Sequence, residues 1–165
     1  MRQIILAISL LALTISSSFA QLSFDRPKVE GLLPNPYTAP AARDIIVETA
    51  VAMLKDMNVD LDADKSKKEE GILVAKPIIF TKGTLTVSQL EHFAHCPVVD
   101  ARNWTRGRYT LQMVVEAVDP SHAKIGISAK IEGENQGMLG SSWIECQSKG
   151  VVEDQILRSI LERIK

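Results

Sequence analysis

Residues 108–117 read Arg108-Tyr109-Thr110-Leu111-Gln112-Met113-Val114-Val115-Glu116-Ala117, and residues 123–132 read Ala123-Lys124-Ile125-Gly126-Ile127-Ser128-Ala129-Lys130-Ile131-Glu132. In each run the apolar residues, Val114 apart, fall on odd numbers and the polar ones on even numbers, the period of a strand with one buried face. Asp119-Pro120-Ser121-His122 lies between them, and Asp, Pro and Ser are turn formers by mechanism rather than by correlation. The two runs are therefore expected to form an antiparallel hairpin, Tyr109 to Ala117 against Ala123 to Ile131, with Ile127 in the core. A slip of one residue would turn every side chain to the other face.

Working outward, the closing stretch carries Val152, Ile156, Leu157, Ile160, Leu161 and Ile164, a helical stripe expected to run from Lys149 to Ile164 with Ser148 as N-cap. Glu153 and Asp154 then lie at the favourable end of its dipole. Ser142 to Gln147 reads as a further strand holding Trp143 and Cys146. The glycine-rich stretch from Gly133 to Gly140 is expected to be a wide loop. Its glycines lack the strand-to-helix context of a phosphate cradle.

On the other side of the hairpin, Ile46, Ala50, Met53, Leu54 and Met57 mark a helix from Ala41 to Met57, with Asn58 in left-handed geometry just beyond it. Gly71 to Phe80 reads as a strand whose Pro77 makes it an edge or a bulge. Val87 to His95 is expected to be a short helix, with Thr86 and Gln89 forming a capping box. Residues 41–165 thus form a single α+β domain. Its economical packing is a two-layer sandwich, an antiparallel sheet with the N-terminal and C-terminal helices on one face.

Asp64, the run Gly71-Ile72-Leu73-Val74-Ala75, the hairpin, Trp143 and the helix start Ser148-Lys149-Gly150-Val151-Val152-Glu153 follow one another in an order that resembles small bacterial envelope domains of the helix-grip kind. The C-terminal domains of the outer-membrane assembly lipoprotein BamC belong to that group. The resemblance spans Ala41 to Lys165 and rests on element order and short motifs. This chain differs in having one such domain and no lipidation cysteine. What the resemblance implies is a fold, and a fold does not carry a function by itself.

The first twenty residues have the form of a secretory signal. Arg2 precedes an apolar run from Ile4 to Ile15, and Ser18 and Ala20 are the small residues of a cleavage site. A spanning helix needs about 20 apolar residues, so cleavage after Ala20 is expected, leaving Gln21 first and no membrane span. The chain has 19 basic and 20 acidic residues. Loss of Arg2 leaves 18 against 20, an acidic balance that argues against nucleic acid as a partner. Residues 21–40 contain Pro27, Pro34, Pro36 and Pro40 and read as an extended arm or linker. Phe24, Leu32, Leu33 and Tyr37 give it apolar anchors for a partner's groove.

His92-x-x-His95-Cys96 is the one cluster with chemical promise, since two imidazoles and a thiolate on one helix face would suit zinc. Polar residues at a helix end are the plain alternative. A nucleophilic Cys96 would need an orienting base that no local pattern supplies. The competing reading is a disulfide, because Cys96 and Cys146 are the only two cysteines and an oxidising compartment pairs them. Trp104 and Arg106, with Arg108 and Tyr109 nearby, suggest a binding surface, although Trp104 also suits a core anchor at a strand start. Asn103-Trp104-Thr105 is formally a glycosylation acceptor. No cofactor is implied. These features together lead us to expect an exported, non-enzymatic envelope or secreted domain that binds a protein, peptide or envelope ligand. The alternative is an enzyme, a hydrolase or metal-dependent, whose dispersed site would use His92, His95 and Cys96.

Overall fold

The computed structural model describes residues 31–97, 104–137 and 140–164. The expected signal segment and Phe24 lie outside the described residues, as does Asn103. The protein is α+β, with seven described strands in one antiparallel sheet and three α-helices. In chain order these are β1 (Tyr37–Ala39), α1 (Arg43–Asp56), β2 (Ile72–Val74), β3 (Ile78–Lys82), α2 (Thr86–Phe93), β4 (Ala94–His95), β5 (Trp104–Asp119), β6 (His122–Gly137), β7 (Gly140–Ser148) and α3 (Val151–Ile164).

The hairpin has the expected register. Tyr109 faces Ile131, Leu111 faces Ala129, Met113 faces Ile127 and Val115 faces Ile125. Apolar side chains thus oppose one another across the pair on one face, and Ile127 is only 4% exposed. These residues share one core cluster with Ile46, Val47, Ala50, Met53 and Leu54 of α1 and with Val152, Ile156, Leu157 and Ile160 of α3. At the turn, the Asp119 carboxylate accepts hydrogen bonds from the Ser121 amide at 2.7 Å and its hydroxyl at 2.9 Å.

The hairpin is longer than its alternation suggested, and the expected glycine-rich loop is largely strand. Gly133 pairs with Gly107 of β5 and with Ile144 of β7. A Cβ at Gly133 would lie 2.5 Å from the Trp104 ring and 2.9 Å from Leu90. Glycine is therefore a packing requirement here, the mark of close approach within a strand. Glu132, Glu134 and Asn135 are buried as well, so both faces of this stretch are covered and the apolar alternation disappears.

Gly71 to Phe80 forms an interrupted edge, β2 and β3, broken around Pro77 and paired along β5 with a register shift between Ile79 and Thr81. Asn58 is left-handed, at φ 56°, as expected. The capping box does not form. Thr86 is inside α2, fully buried, and its hydroxyl donates to the Thr105 carbonyl at 3.1 Å. Helix α3 starts two residues later than expected because Gly150 takes φ +80°. The Ser148 hydroxyl accepts the Gly150 amide at 3.0 Å and donates to Glu153 at 2.9 Å.

The described part of the arm is extended and docked on the domain. Residues 37–39 pair with Ala123–Ile125 of β6, Leu33 and Tyr37 pack against the core, and the Leu33 amide donates to Asp154 of α3 at 2.8 Å.

Candidate functional site

Cys96 and Cys146 form a disulfide, their Cα atoms 4.3 Å apart, closing a separation of 50 residues. This removes the thiolate from the expected zinc cluster and from any nucleophile. The helix also stops too early for the pattern. His92 lies in α2, whereas His95 lies in β4 and pairs with Gln147 of β7. Strand pairing has pulled the chain out of helical geometry, so the two imidazoles do not share a helix face. Among the described residues, no group of three His, Cys, Asp or Glu side chains is placed to hold a metal ion.

The mixed aromatic and basic stretch divides between the two faces of the sheet. Of its two expected roles Trp104 has the geometry of the core anchor: it is 7% exposed, belongs to the core and lays its ring over Gly133. Tyr109 is buried too. Arg106 and Arg108 face the other way and meet Trp143 of β7, a residue whose role sequence reasoning missed. The Arg108 guanidinium stands 4.0 Å from the centre of the Trp143 ring and that of Arg106 stands 5.5 Å away. Both distances are within cation–π range.

Beneath this aromatic lies a closed ladder of charges. Arg106 binds Glu134 through two guanidinium nitrogens, the Nη2 contact being 2.6 Å. The Thr105 hydroxyl donates to the same carboxylate at 2.9 Å. Arg108 donates to Glu132 at 2.9 Å, and Lys130 spans Glu132 at 3.4 Å and Glu145 at 3.5 Å. The Arg106 hydrogen bond holds the Glu134 carboxyl at about 2 despite its burial, helped by Thr105 and Ser141. Burial pushes Glu132 upward, but Arg108 and Lys130 outweigh it and keep this carboxyl below its usual range. Both acids are ionised at neutral pH with their oxygens occupied, which suits neither for proton transfer.

Ser121, His122 and Asp119 are also in contact, at the hairpin turn. Ser121 Oγ and the Asp119 carboxylate both address the same ring nitrogen, His122 Nδ1, at 3.1 and 3.0 Å. A triad needs the acid and the hydroxyl on opposite nitrogens. This trio is a turn motif.

What remains is apolar. Beside the arm, a groove of about 380 Å³ is lined by Leu33, Tyr37 and Pro40 on one wall and by Arg158, Leu161, Glu162 and Ile164 of α3 on the other. Two of the four arm residues expected to anchor a partner, Leu33 and Tyr37, line this groove. Leu32 is 47% exposed and touches the Gly150 position. A second depression along α1, about 540 Å³, is ringed by opposed charges such as Arg43, Asp44, Lys68 and Glu69. The groove had no signal in local sequence because α3 supplies half of it from the far end of the chain. The ladder had a faint one, since Arg106, Arg108, Glu132 and Glu134 lie at spacings a long hairpin would pair. No protein-family model matches this chain, and no curated protein is significantly similar to it.

Proposed function

We propose that this chain is an exported, non-enzymatic domain that binds a protein or peptide of the cell envelope or secreted space through the groove between its arm and α3. The groove carries the reading: it is open, largely apolar, and walled by Leu33, Tyr37, Leu161 and Ile164, the side-chain chemistry of small recognition sites. Support comes from the ionisable groups of the sheet surface, which are committed to one another rather than poised for reaction. The Cys96–Cys146 bond and the signal pattern of residues 1–20 support export. Among the described residues, no helix is long and apolar enough to cross a membrane.

We read the architecture as a two-layer sandwich with α1 and α3 on one face of the sheet. The odd-numbered side chains of β5 and β6 lie in one cluster with both helices, which supports this arrangement. It fits the helix-grip resemblance at the level of the fold.

The test is cross-linked recovery of envelope partners by the mature protein, wild type against the double variant Leu161→Ser and Ile164→Lys. Leu161 and Ile164 also pack against the core, so the expected result is loss of a specific partner by a variant that melts earlier but is still folded, by its circular dichroism, at the temperature of the assay. Equal recovery by both proteins would sink the groove as the binding site. The intact mass of the native protein should correspond to a chain starting at Gln21, as glutamine or its cyclised pyroglutamate, and retention of residues 1–20 would remove the exported part of the reading.

A further inference from the structure

The groove beside the arm has apolar walls but an unbalanced rim. Its first wall is fixed in place, because the arm lies as a strap along β6. Tyr37–Ala39 pair with that strand, the Asn35 side chain holds the Ile127 carbonyl at 2.6 Å and amide at 3.0 Å, and the Leu33 amide is bound to Asp154 at 2.8 Å. Its second wall is the end of α3, with Leu161, Glu162 and Ile164 all in the final turn. The last carbonyls of a helix have no intrahelical partner and carry the negative end of its dipole. Two charged side chains stand at the rim, and they are not equivalent. Arg158 is committed: its guanidinium donates to Asp154 at 2.7 Å and to the Gly31 carbonyl at 3.1 Å. Glu162 is exposed and, among the described residues, has no hydrogen bond or ion pair. The neighbouring Arg163 is bound to Asp56 instead, at 2.6 Å. The rim therefore carries an uncompensated carboxylate at the negative end of a helix.

We infer that the occupant of this groove is a basic, apolar peptide segment of a partner. An aliphatic or aromatic side chain enters between Leu33, Tyr37, Leu161 and Ile164, and a neighbouring lysine or arginine reaches Glu162. This rests on the binding reading above and adds the chemistry of the partner. A volume of about 380 Å³ is near the small end of ligand sites, which suits one or two side chains offered by a peptide. Lysine fits such a place because its methylene stem lies along apolar surface while its ammonium stays at the wet rim. An acidic segment would bring a like charge to Glu162 and to the carbonyl end of α3, and like-charge juxtaposition is how an interface rejects wrong partners. The depression along α1 makes no such choice, since its rim carries charges of both signs, Arg43, Asp44, Lys68 and Glu69 among them.

The experiment uses the mature full chain, wild type, Glu162→Gln and Glu162→Lys. Glu162 is exposed, so the variants keep the core, and equal urea midpoints check this. Lys165 lies outside the described residues, and comparing variants at position 162 holds its contribution constant. The probes are three short peptides with a central leucine–phenylalanine pair, flanked on both sides by lysine, by glutamine or by glutamate. Each is titrated by NMR into isotope-labelled protein at low salt while the Leu33 and Leu161 amides are followed. Wild type should bind the lysine peptide about tenfold more tightly than the glutamate peptide, with glutamine between them. Glu162→Gln should narrow that spread to about threefold, and Glu162→Lys should reverse the order. The same order and spread in all three proteins would overturn the inference, as would a lysine peptide that fails to bind at millimolar concentration or binds without moving the Leu33 and Leu161 amides. Self-association of wild type that the lysine peptide disperses would overturn it in favour of a second copy as the occupant. If the peptides show no charge preference while the groove variants still lose their envelope partner, the binding reading stands and this inference alone falls. If the lysine peptide binds with the expected dependence on Glu162 while no envelope partner is recovered, the selectivity of the groove stands and the envelope partner of the proposed function falls.

Discussion

The two outer flanks of the central hairpin are closed in different ways. Along β5 the cover is backbone throughout, from one segment of chain interrupted at Pro77: β2 and β3 pair with it, the Val115 amide donates to the Gly71 carbonyl at 2.9 Å, and the Ala75 amide donates to the Leu111 carbonyl at 2.9 Å. Along β6 the cover is assembled from pieces. β1 pairs with Ala123–Ile125, Asn35 serves Ile127, a Glu153 oxygen accepts the Ala129 amide at 3.2 Å, and β7 takes over from Ile131. Every outward backbone group must find a partner, and the β6 flank meets this demand with side chains where no strand reaches. These side chains come from opposite ends of the chain, Asn35 from the strap and Glu153 from α3. Asp154, the neighbour of Glu153, then holds the Leu33 amide and the Arg158 guanidinium. The strap, β6 and α3 are thus tied at one place by two adjacent acids. The difference teaches that a flank of continuous backbone is hard to open locally, whereas a flank of separate pieces can open one piece at a time.

The largest expected effect is on the covalent piece. β7 completes the β6 flank and is stapled at Cys146 to the segment after α2, where, among the described residues, only Ala94 and His95 pair with it. Replacing both cysteines by serine should lower stability by about 4 kcal/mol on the chain-entropy account of a loop of this length. Urea unfolding of the variant, and of wild type with and without reductant, measures this. A loss below about 1 kcal/mol would mean that the other contacts of β7 hold the flank without the bond.

Next comes the carboxylate that fills the gap. Glu153 is 8% exposed and serves both the Ala129 amide and the Ser148 hydroxyl. Glu153→Ala should cost about 1 to 3 kcal/mol, because a buried amide loses its acceptor. Glu153→Gln should cost less, since its carbonyl oxygen still accepts. On the β5 flank, Ile79 is 53% exposed, and Ile79→Thr should stay within about 0.5 kcal/mol. Equal losses for Glu153→Ala and Ile79→Thr, read from urea midpoints, would break the contrast between the flanks.

The same contrast explains how much of the molecule was legible in its sequence. The hairpin from Tyr109 to Ile131 was readable because one face is apolar and the other polar, and period two then fixes both partner and face. Both long helices were readable from their stripes, and the interruption at Pro77 from proline's missing donor. The stretch around Gly133 was not, because Trp104 and Leu90 cover one face while the paired Arg106 and Glu134 cover the other. Burial of polar groups erased the pattern that would have marked a strand. The prolines left the arm with two readings. They signalled extended backbone correctly, but an extended chain can be a linker or an edge strand, and only β6 decides which. The groove was illegible for a related reason, as its two walls lie more than a hundred residues apart in sequence. The cysteines were legible in pairing, yet their consequence for His92 and His95 depended on where α2 ends.

The smallest expected effect concerns the charge ladder, and its pH dependence has a definite sign. The Glu134 carboxyl is held at about 2 by its Arg106 hydrogen bonds, against about 4.3 for glutamate in an unfolded chain. A carboxyl depressed by folding binds fewer protons in the native state, so its contribution to stability is fully present above the unfolded value. That contribution is lost as pH falls through the folded value. The difference in urea midpoint between wild type and Glu134→Gln should therefore be constant above about pH 5 and shrink steadily below about pH 4, nearly vanishing at about pH 2. The comparison with the variant is essential because Asp119, held at about 2 chiefly by the Ser121 amide, titrates over the same range in both proteins and cancels. Arg106 is about half-exposed, its side chain at 46%, so the difference should also narrow in 1 M salt, where the screening length falls to about 3 Å. A midpoint difference that persists unchanged to pH 2 would show that Glu134 acts through packing under Trp143 rather than through its charge, and the ladder would then belong to the core rather than to the surface of the sheet.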